Sequence, residues 1–199
     1  MKKVLLLLII IATFFSCDIN INGYITNWFY NENHWKVDEN KITYIGDETD
    51  SVAWINKEIP KNVEITFKWK AEQNDTDRNE LIVILKGNKG LIGDFWTDGV
   101  NINYISSPEG NISEIRINGV YEGCEWPNYE DNLPLFDNKI EHECKIIYDN
   151  NILTFSIDNY IIHKGVIVKL DNENNFFGVA NCWESSYKNE FYDVVINEL

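Results

Sequence analysis

Glu122 and Glu125 stand close together in YEGCEWPNYEDN (121–132), in the company of Tyr121, Trp126 and Tyr129. Carboxylates and aromatic rings in one irregular segment suit the recognition of sugars. A flat ring covers the apolar face of a pyranose, while carboxylates and amides take hydrogen bonds from its hydroxyls. The same two glutamates are the candidates for catalysis, because most glycosidases work with a pair of carboxyl groups ~5 to 9.5 Å apart. Trp96 in GDFWTDG (93–99) and Trp183 in NCWESSYKNEFYD (181–193) extend the ligand-binding set, the latter with Glu184 and Tyr187 beside it. Aromatic loops on a rigid scaffold are where ligand sites tend to lie. The competing reading of each is a loop aromatic that covers the end of the core.

Calcium is the one cofactor in view. It takes roughly six to eight oxygen ligands, often from closely spaced carboxylates. Asp94 and Asp98 flank Trp96, and Asp75 and Asp77 alternate with Asn79 in QNDTDRNE (73–80). Neither run completes the Asp-x-Asp-x-Asp-Gly pattern of an EF-hand loop, so two polar turns are the alternative. His34, His142 and His163 have no Cys or Ser partner at a catalytic spacing. The chain also lacks a His-x-x-x-His pair, a Gly-rich phosphate loop and a basic patch.

The scaffold that must position these residues reads as β throughout. No window of a dozen residues keeps apolar spacing of three and four. VEITFKWK (63–70) alternates Val63, Ile65, Phe67 and Trp69 with Glu64, Thr66, Lys68 and Lys70, a period of two that buries one face and wets the other. ELIVILKG (80–87) is a continuous apolar run, as in a strand covered on both faces. VNINYIS (100–106) and SEIRINGVY (113–121) follow. CKIIYDNNILTFSIDNYIIHKGVIV (144–168) then reads as successive strands broken at Asp149-Asn150 and Asp158-Asn159, residue types that accept the left-handed backbone of tight hairpins. NFFGVAN (175–181) and FYDVVINEL (191–199) close the chain. Short strands with a turn signal about every 8 to 12 residues predict an all-β fold, an antiparallel two-sheet β-sandwich. Trp35, Trp54 and Trp69 fall in strand patterns and are assigned to its core.

HWKVDENKITYIG (34–46), followed by VAWINKEIPKNVEITFKWK (52–70), resembles the opening strands of jelly-roll domains of the concanavalin A-like lectin/glucanase superfamily. EHECKIIYDNNILTFSIDN (141–159) is similar to their central hairpin, and NEFYDVVINEL (189–199) to their closing strand. Within that superfamily the likeness is nearest to laminin G-like modules and 3-keto-disaccharide hydrolase domains. The resemblance implies a jelly roll, a fold that hosts lectins, glycosidases and adhesion modules alike. It also implies calcium near the ligand face in many members, which favours the four aspartates. It would bring the 121–132 and 181–193 connections to neighbouring edges. The superfamily's glucanases carry Glu-x-Asp-x-x-Glu on one strand. Here Glu48-Thr49-Asp50 begins that motif but Ala53 stands in the last place, and Glu141-His142-Glu143 has no third group. A glucanase-type site is not expected.

The start of the chain fixes the expected compartment. Lys2 and Lys3 precede an apolar run over 4–15, the layout of an export signal. That run is too short for a membrane span of about 20 residues. Ser16-Cys17 after it resembles the bacterial lipobox, with Phe14 where leucine is usual. Cleavage there would make residues 1–16 a signal peptide and leave Cys17 lipidated. Each acyl methylene then contributes ~0.8 kcal/mol to holding the domain at a membrane. An ordinary signal peptide is the alternative. Residues 17–33 would form a tether and an edge strand, and 34–199 the sandwich, lipid-anchored in the bacterial cell envelope. An oxidising compartment permits one disulfide among Cys124, Cys144 and Cys182, the pair being undetermined and three unbridged thiols the alternative.

Loss of residues 1–16 removes two lysines and leaves 15 basic against 32 acidic residues. Such a surface repels nucleic acid, which is excluded as a partner. Three functions remain: a module that binds glycan through loop aromatics, a hydrolase or lyase acting on glycosides, and an adhesion module for an extracellular protein.

Overall fold

Period-two patterning governs the architecture. The computed structural model describes residues 23–46, 50–72, 79–89, 99–107, 112–118, 130–131, 133–137, 139–167, 175–182 and 188–199. Among the described residues the chain is all β. The strands are β1 (Trp28–Phe29), β2 (Trp35–Asp38), β3 (Lys41–Tyr44), β4 (Ser51–Ile55), β5 (Val63–Glu72), β6 (Asn79–Gly87) and β7 (Val100–Ser107). They continue with β8 (Ile112–Asn118), β9 (Glu130–Asp131), β10 (His142–Asp149), β11 (Ile152–Ile157), β12 (Tyr160–Val166), β13 (Phe176–Asn181) and β14 (Lys188–Glu198). The first sheet runs β1-β4-β13-β6-β7-β8-β9 and the second β12-β11-β10-β5-β14-β3-β2, with every neighbouring pair antiparallel. This is the expected two-sheet jelly-roll sandwich.

The inward residues of both sheets interdigitate to form the core. Strand β5 contributes Val63, Ile65, Phe67 and Trp69, and β10 contributes Cys144, Ile146 and Tyr148, all buried. The indole N–H groups at one end of this core find partners. Trp69 Nε1 donates to Asn189 Oδ1 at 3.0 Å, and Asn189 Nδ2 donates to Asn181 Oδ1 at 2.8 Å. Trp35 Nε1 donates to Ser51 Oγ at 2.9 Å. A buried indole needs such an acceptor, and these bonds stitch β5 and β14 of one sheet to β13 of the other.

Two hairpins follow the Asn/Asp signals. Asn150 and Asn151 (φ 47° and 66°) join β10 to β11, and Asp158 and Asn159 (φ 49° and 65°) join β11 to β12. Both residues of each turn are left-handed, as in a type I′ hairpin. The first turn lies one residue beyond the expected Asp149-Asn150 pair, because Asp149 still pairs with Ile152. Strand β8 is described only as far as Asn118, so 119–121 of the expected strand lie outside the described residues.

Strand β6 behaves as its unbroken apolar run implies. Leu81, Val83 and Leu85 enter the core, and Ile82 and Ile84 are equally buried on the opposite side of the sheet. Trp54 joins that opposite side with Val52, Ala180 and Cys182. It is therefore buried, as expected, but in a second cluster and not between the sheets.

Candidate ligand-binding face

Strand alternation on the first sheet builds one surface from β4, β13, β6, β7 and β8, on the side away from the second sheet. Directly paired residues share a face, so the register gives its rows. One row reads Val52, Ala180, Ile82, Asn103, Arg116 across the five strands. The row on one side of it reads Trp54, Gly178, Ile84, Asn101. The row on the other side contains Glu80, Ile105 and Glu114. The face is thus divided. Its β4–β13–β6 half is aliphatic and aromatic, and its β7–β8 half carries amides, a guanidinium and carboxylates.

The local sequence explains the division. In VNINYIS, Val100, Ile102 and Tyr104 point to the core and Asn101 and Asn103 point away. In SEIRIN, Ser113, Ile115 and Ile117 are buried while Glu114 and Arg116 alternate with them. In the sequence each of these polar residues looks like the wet side of a half-buried strand. They are not wet. Asn101 is 1% and Asn103 2% exposed, and Glu80 is 1% exposed. The signal that could have found them is an asparagine pair at i and i+2 next to a strand apolar on both faces.

The polar half is internally bonded. Asn103 Nδ2 donates to Glu80 Oε2 at 3.2 Å, and the Cys182 thiol donates to the same oxygen at 3.2 Å. Arg116 Nη2 donates to Glu114 Oε1 at 2.5 Å. Asn103 Oδ1 is buried and has no partner. A buried acceptor without a donor costs ~1 to 3 kcal/mol, so this position favours a hydroxyl-bearing guest or an ordered water. Exposure rises from Glu80 and Asn103 towards Glu114 and Arg116, whose side chains are 16% and 26% exposed. The face therefore opens on its β8 side.

The loop residues expected to bind ligand lie outside the described residues. These are Trp96, Tyr121, Trp126, Tyr129 and Trp183, together with the carboxylates Glu122 and Glu125 and the neighbours Glu184 and Tyr187. So do the calcium candidates Asp75, Asp77, Asp94 and Asp98, and so does Cys17. The strands that flank them are described. Residues 90–98 join β6 to β7, and 119–129 leave β8 at Asn118, which pairs with Asn101. Residues 183–187 leave β13 beyond Asn181, which pairs with Ser51 at the other end of the sheet. The two connections expected on neighbouring edges therefore start from opposite ends of the first sheet. Gly99, at φ +60°, sits where 90–98 meets β7, and a Cβ there would stand 2.5 Å from the carbonyl oxygen of Leu85. Only glycine fits that approach.

Cys144 and Cys182 are both buried and neither is in a disulfide, so no bridge joins these two; Cys124 lies outside the described residues. Burial pushes the Cys144 thiol well above its ordinary range. His142, between Glu141 and Glu143, is 2% exposed and bonded at both ring nitrogens. Among the described residues no group of three or more His, Cys, Asp or Glu is arranged to hold a metal ion. A polar cleft of 470 Å³ opens beside the β2–β3 turn, lined by Asp38, Asn40, Glu141 and Asp193 among others. Lys68 bridges two of its acids, Glu141 at 2.9 Å and Asp193 at 3.1 Å.

No known sequence family matches the chain, and no characterised relative is found by sequence. Solved structures do match. A carbohydrate-binding module from Bacillus subtilis (CBM66) superposes with a TM-score of 0.60 at 10% identity, covering 87% of this chain and 97% of that one. A second Bacillus subtilis protein, with a galectin-like fold, gives 0.59 at 14% identity over 87% of this chain and 90% of its own. The PL7 alginate lyase AlyA1 of Zobellia galactanivorans gives 0.53 at 13% identity over 86% and 83%. At these identities the likeness is one of fold, and the fold is a β-sandwich shared by carbohydrate-binding and carbohydrate-cleaving proteins.

Proposed function

We propose that this chain is an exported, lipid-anchored sandwich that binds glycan on the divided face of its first sheet. The observation that carries the reading is Asn103 Oδ1, a buried acceptor without a donor, set between an aliphatic half-face and a polar half-face. A sugar ring offers what both halves lack, a C–H surface on one side and hydroxyl donors on the other. The names of the structural neighbours support a carbohydrate role. Trp96, Trp126 and Trp183 keep their place as ligand contacts, because the segments that carry them are tied to β6, β7, β8 and β13, the strands of this face. Export and anchoring rest on the apolar run over 4–15 and on Ser16-Cys17.

The test is isothermal titration of the full-length protein in detergent against a panel of polysaccharides. Saturable binding, weakened at least ~10-fold in Asn103→Leu with unchanged thermal stability, supports the reading. No binding to any polysaccharide refutes it. Mass spectrometry of the mature N-terminus, with Cys17→Ser as the control, tests the anchor.

One observation favours cleavage as a second reading. Glu80 and Glu114 lie in one row with Ile105 between them. Two strand spacings put their Cα atoms ~9.6 Å apart. Side chains of glutamate length on Cα atoms this far apart can bring their carboxyl groups into the ~6.5 to 9.5 Å range of inverting glycosidases. Release of reducing ends, lost in Glu80→Gln, would identify a hydrolase.

A further inference from the structure

The charges on the divided face go further and name the class of glycan; this step rests on the glycan reading above. Three charged side chains belong to this face on β6, β7 and β8: Glu80, Glu114 and Arg116. The guanidinium is the only cation among these three, and it is committed to Glu114 at 2.5 Å. Lys89 lies at the other edge, over the Phe176 ring at 5.1 Å, and donates to Asn56 Oδ1 at 2.7 Å. Lys86, the next residue along β6 after Leu85, does not join them. Its Nζ donates to the carbonyl oxygen of Pro60 at 2.5 Å and lies 5.9 Å from the ring centre of Tyr148, on the core side. The β6–β8 half of the face therefore carries two carboxylates against one guanidinium paired with one of them.

An anionic sugar needs the reverse. A carboxylate or sulfate on a ring is held by a guanidinium or ammonium whose donors are free to turn to it, often in a bidentate pair. Here such a group would displace Glu114 from Arg116. It would also approach Glu80, a carboxylate 1% exposed whose Oε2 already takes the Asn103 and Cys182 donors. Like charges in a poorly solvated site repel strongly. Hydroxyls meet none of this resistance. They can donate to Asn103 Oδ1 and to the outward carboxylate of Glu114. We infer that the divided face selects neutral glycans and rejects uronic, sulfated and sialylated ones, with the Glu114–Arg116 pair as the discriminating element. The formal charge of the whole chain, −15, adds a long-range bias in the same direction.

Affinity electrophoresis and titration calorimetry of the full-length protein provide the test. The probes are a neutral glucan, galactan, mannan and fructan, set against alginate, polygalacturonate and a sulfated galactan. The expected result is binding to at least one neutral polymer, little changed between low and moderate salt, with no retardation by the three polyanions. Glu114→Gln keeps the shape of the side chain and releases the guanidinium. It should gain salt-sensitive binding to a polyanion by at least ~10-fold and lose affinity for the neutral polymer. Arg116→Gln should weaken neutral binding without that gain. Wild-type binding to a polyanion as tight as to any neutral polymer, lost in Asn103→Leu, overturns the selectivity and leaves glycan binding standing. The absence of binding to all seven polymers overturns both.

Discussion

His142 Nδ1 lies 2.7 Å from Asp158 Oδ2, so the imidazole ties β10 to the turn between β11 and β12. Its other nitrogen, Nε2, donates to the carbonyl oxygen of Asp137 at 2.7 Å, and the ring packs between Trp69 and Phe136. Asp158 is itself a left-handed turn residue whose Oδ1 accepts the Glu143 N–H at 2.9 Å. One buried ring thus holds three elements. His142→Phe keeps the aromatic contacts and removes both bonds, leaving the Asp137 carbonyl without its donor. The expected cost is ~1 to 3 kcal/mol, read as a lower urea midpoint at unchanged slope. A midpoint equal to wild type would show that water replaces both bonds.

Gly178 leaves room for an indole. A Cβ at that position would stand 2.7 Å from Trp54 Cε3 and 3.0 Å from Val52 Cγ1. Trp54, Val52 and Ala180 form the apolar half of the divided face, and Gly178 is what lets the indole lie across β13. Gly178→Ala should force the ring to move, cost ~1 to 3 kcal/mol and shift tryptophan emission. Gly165→Ala is the internal control. Its Cβ would meet only the His163 imidazole, on edge strand β12, where the side chain can swing aside. That variant should stay within ~0.5 kcal/mol of wild type.

The contrast between these positions shows what could be read in advance. Val63, Ile65, Phe67 and Trp69 enter the core because strict alternation admits one buried face, and the hairpin asparagines form turns because few other residues tolerate φ above zero. Such signals are local. Asn101 and Asn103 follow the same alternation, yet they are buried on the outer side of the sheet, which no strand pattern encodes. Trp54 was legible as buried but not as belonging to the outer side, because β4 is buried throughout and gives no polar alternation to orient it. The Glu80–Asn103 contact joins two strands across 23 positions of sequence and exists only once the β6–β7 register is set.

Stability should fall on the alkaline side, and Cys144 supplies part of the slope. Burial raises its thiol well above 9.0, and burial likewise raises the Tyr104 phenol above 10.0. The unfolded chain releases these protons at the ordinary values while the folded chain keeps them. The unfolded state then binds fewer protons, and stability decreases as pH rises. The contribution is complete below the unfolded values and is lost as pH climbs towards the folded ones. Lys68, raised to about 12 by its bonds to Glu141 and Asp193, acts in the same direction, weakly because it is 40% exposed. Lys86, lowered by burial, acts the other way. Cys144→Ala should be less stable than wild type at pH 7 because of its cavity, yet lose less stability between about pH 8.5 and 10.5. Urea midpoints at both pH values check this; parallel losses would assign the alkaline slope to the other groups.

The segment 133–137 crosses the end of the sandwich and is held by hydroxyls from the first sheet. Tyr104 Oη donates to the Pro134 carbonyl oxygen at 2.5 Å, and Ser113 Oγ donates to the same oxygen at 3.0 Å. The two hydroxyls are themselves 3.0 Å apart, so three contacts share two protons. Either hydroxyl alone can satisfy the carbonyl. Tyr104→Phe and Ser113→Ala should therefore each cost ~1 kcal/mol or less, and the double variant more than their sum, because it alone leaves the half-buried carbonyl without a donor from the protein. The far end of the segment is pinned by His142 through the Asp137 carbonyl. Loosening should thus reach Lys139, an exposed residue just beyond it. Limited trypsin digestion at Lys139 should accelerate in the double variant and stay near the wild-type rate in each single one. Equal acceleration in Tyr104→Phe alone would show that the phenol carries the contact and Ser113 only borrows it.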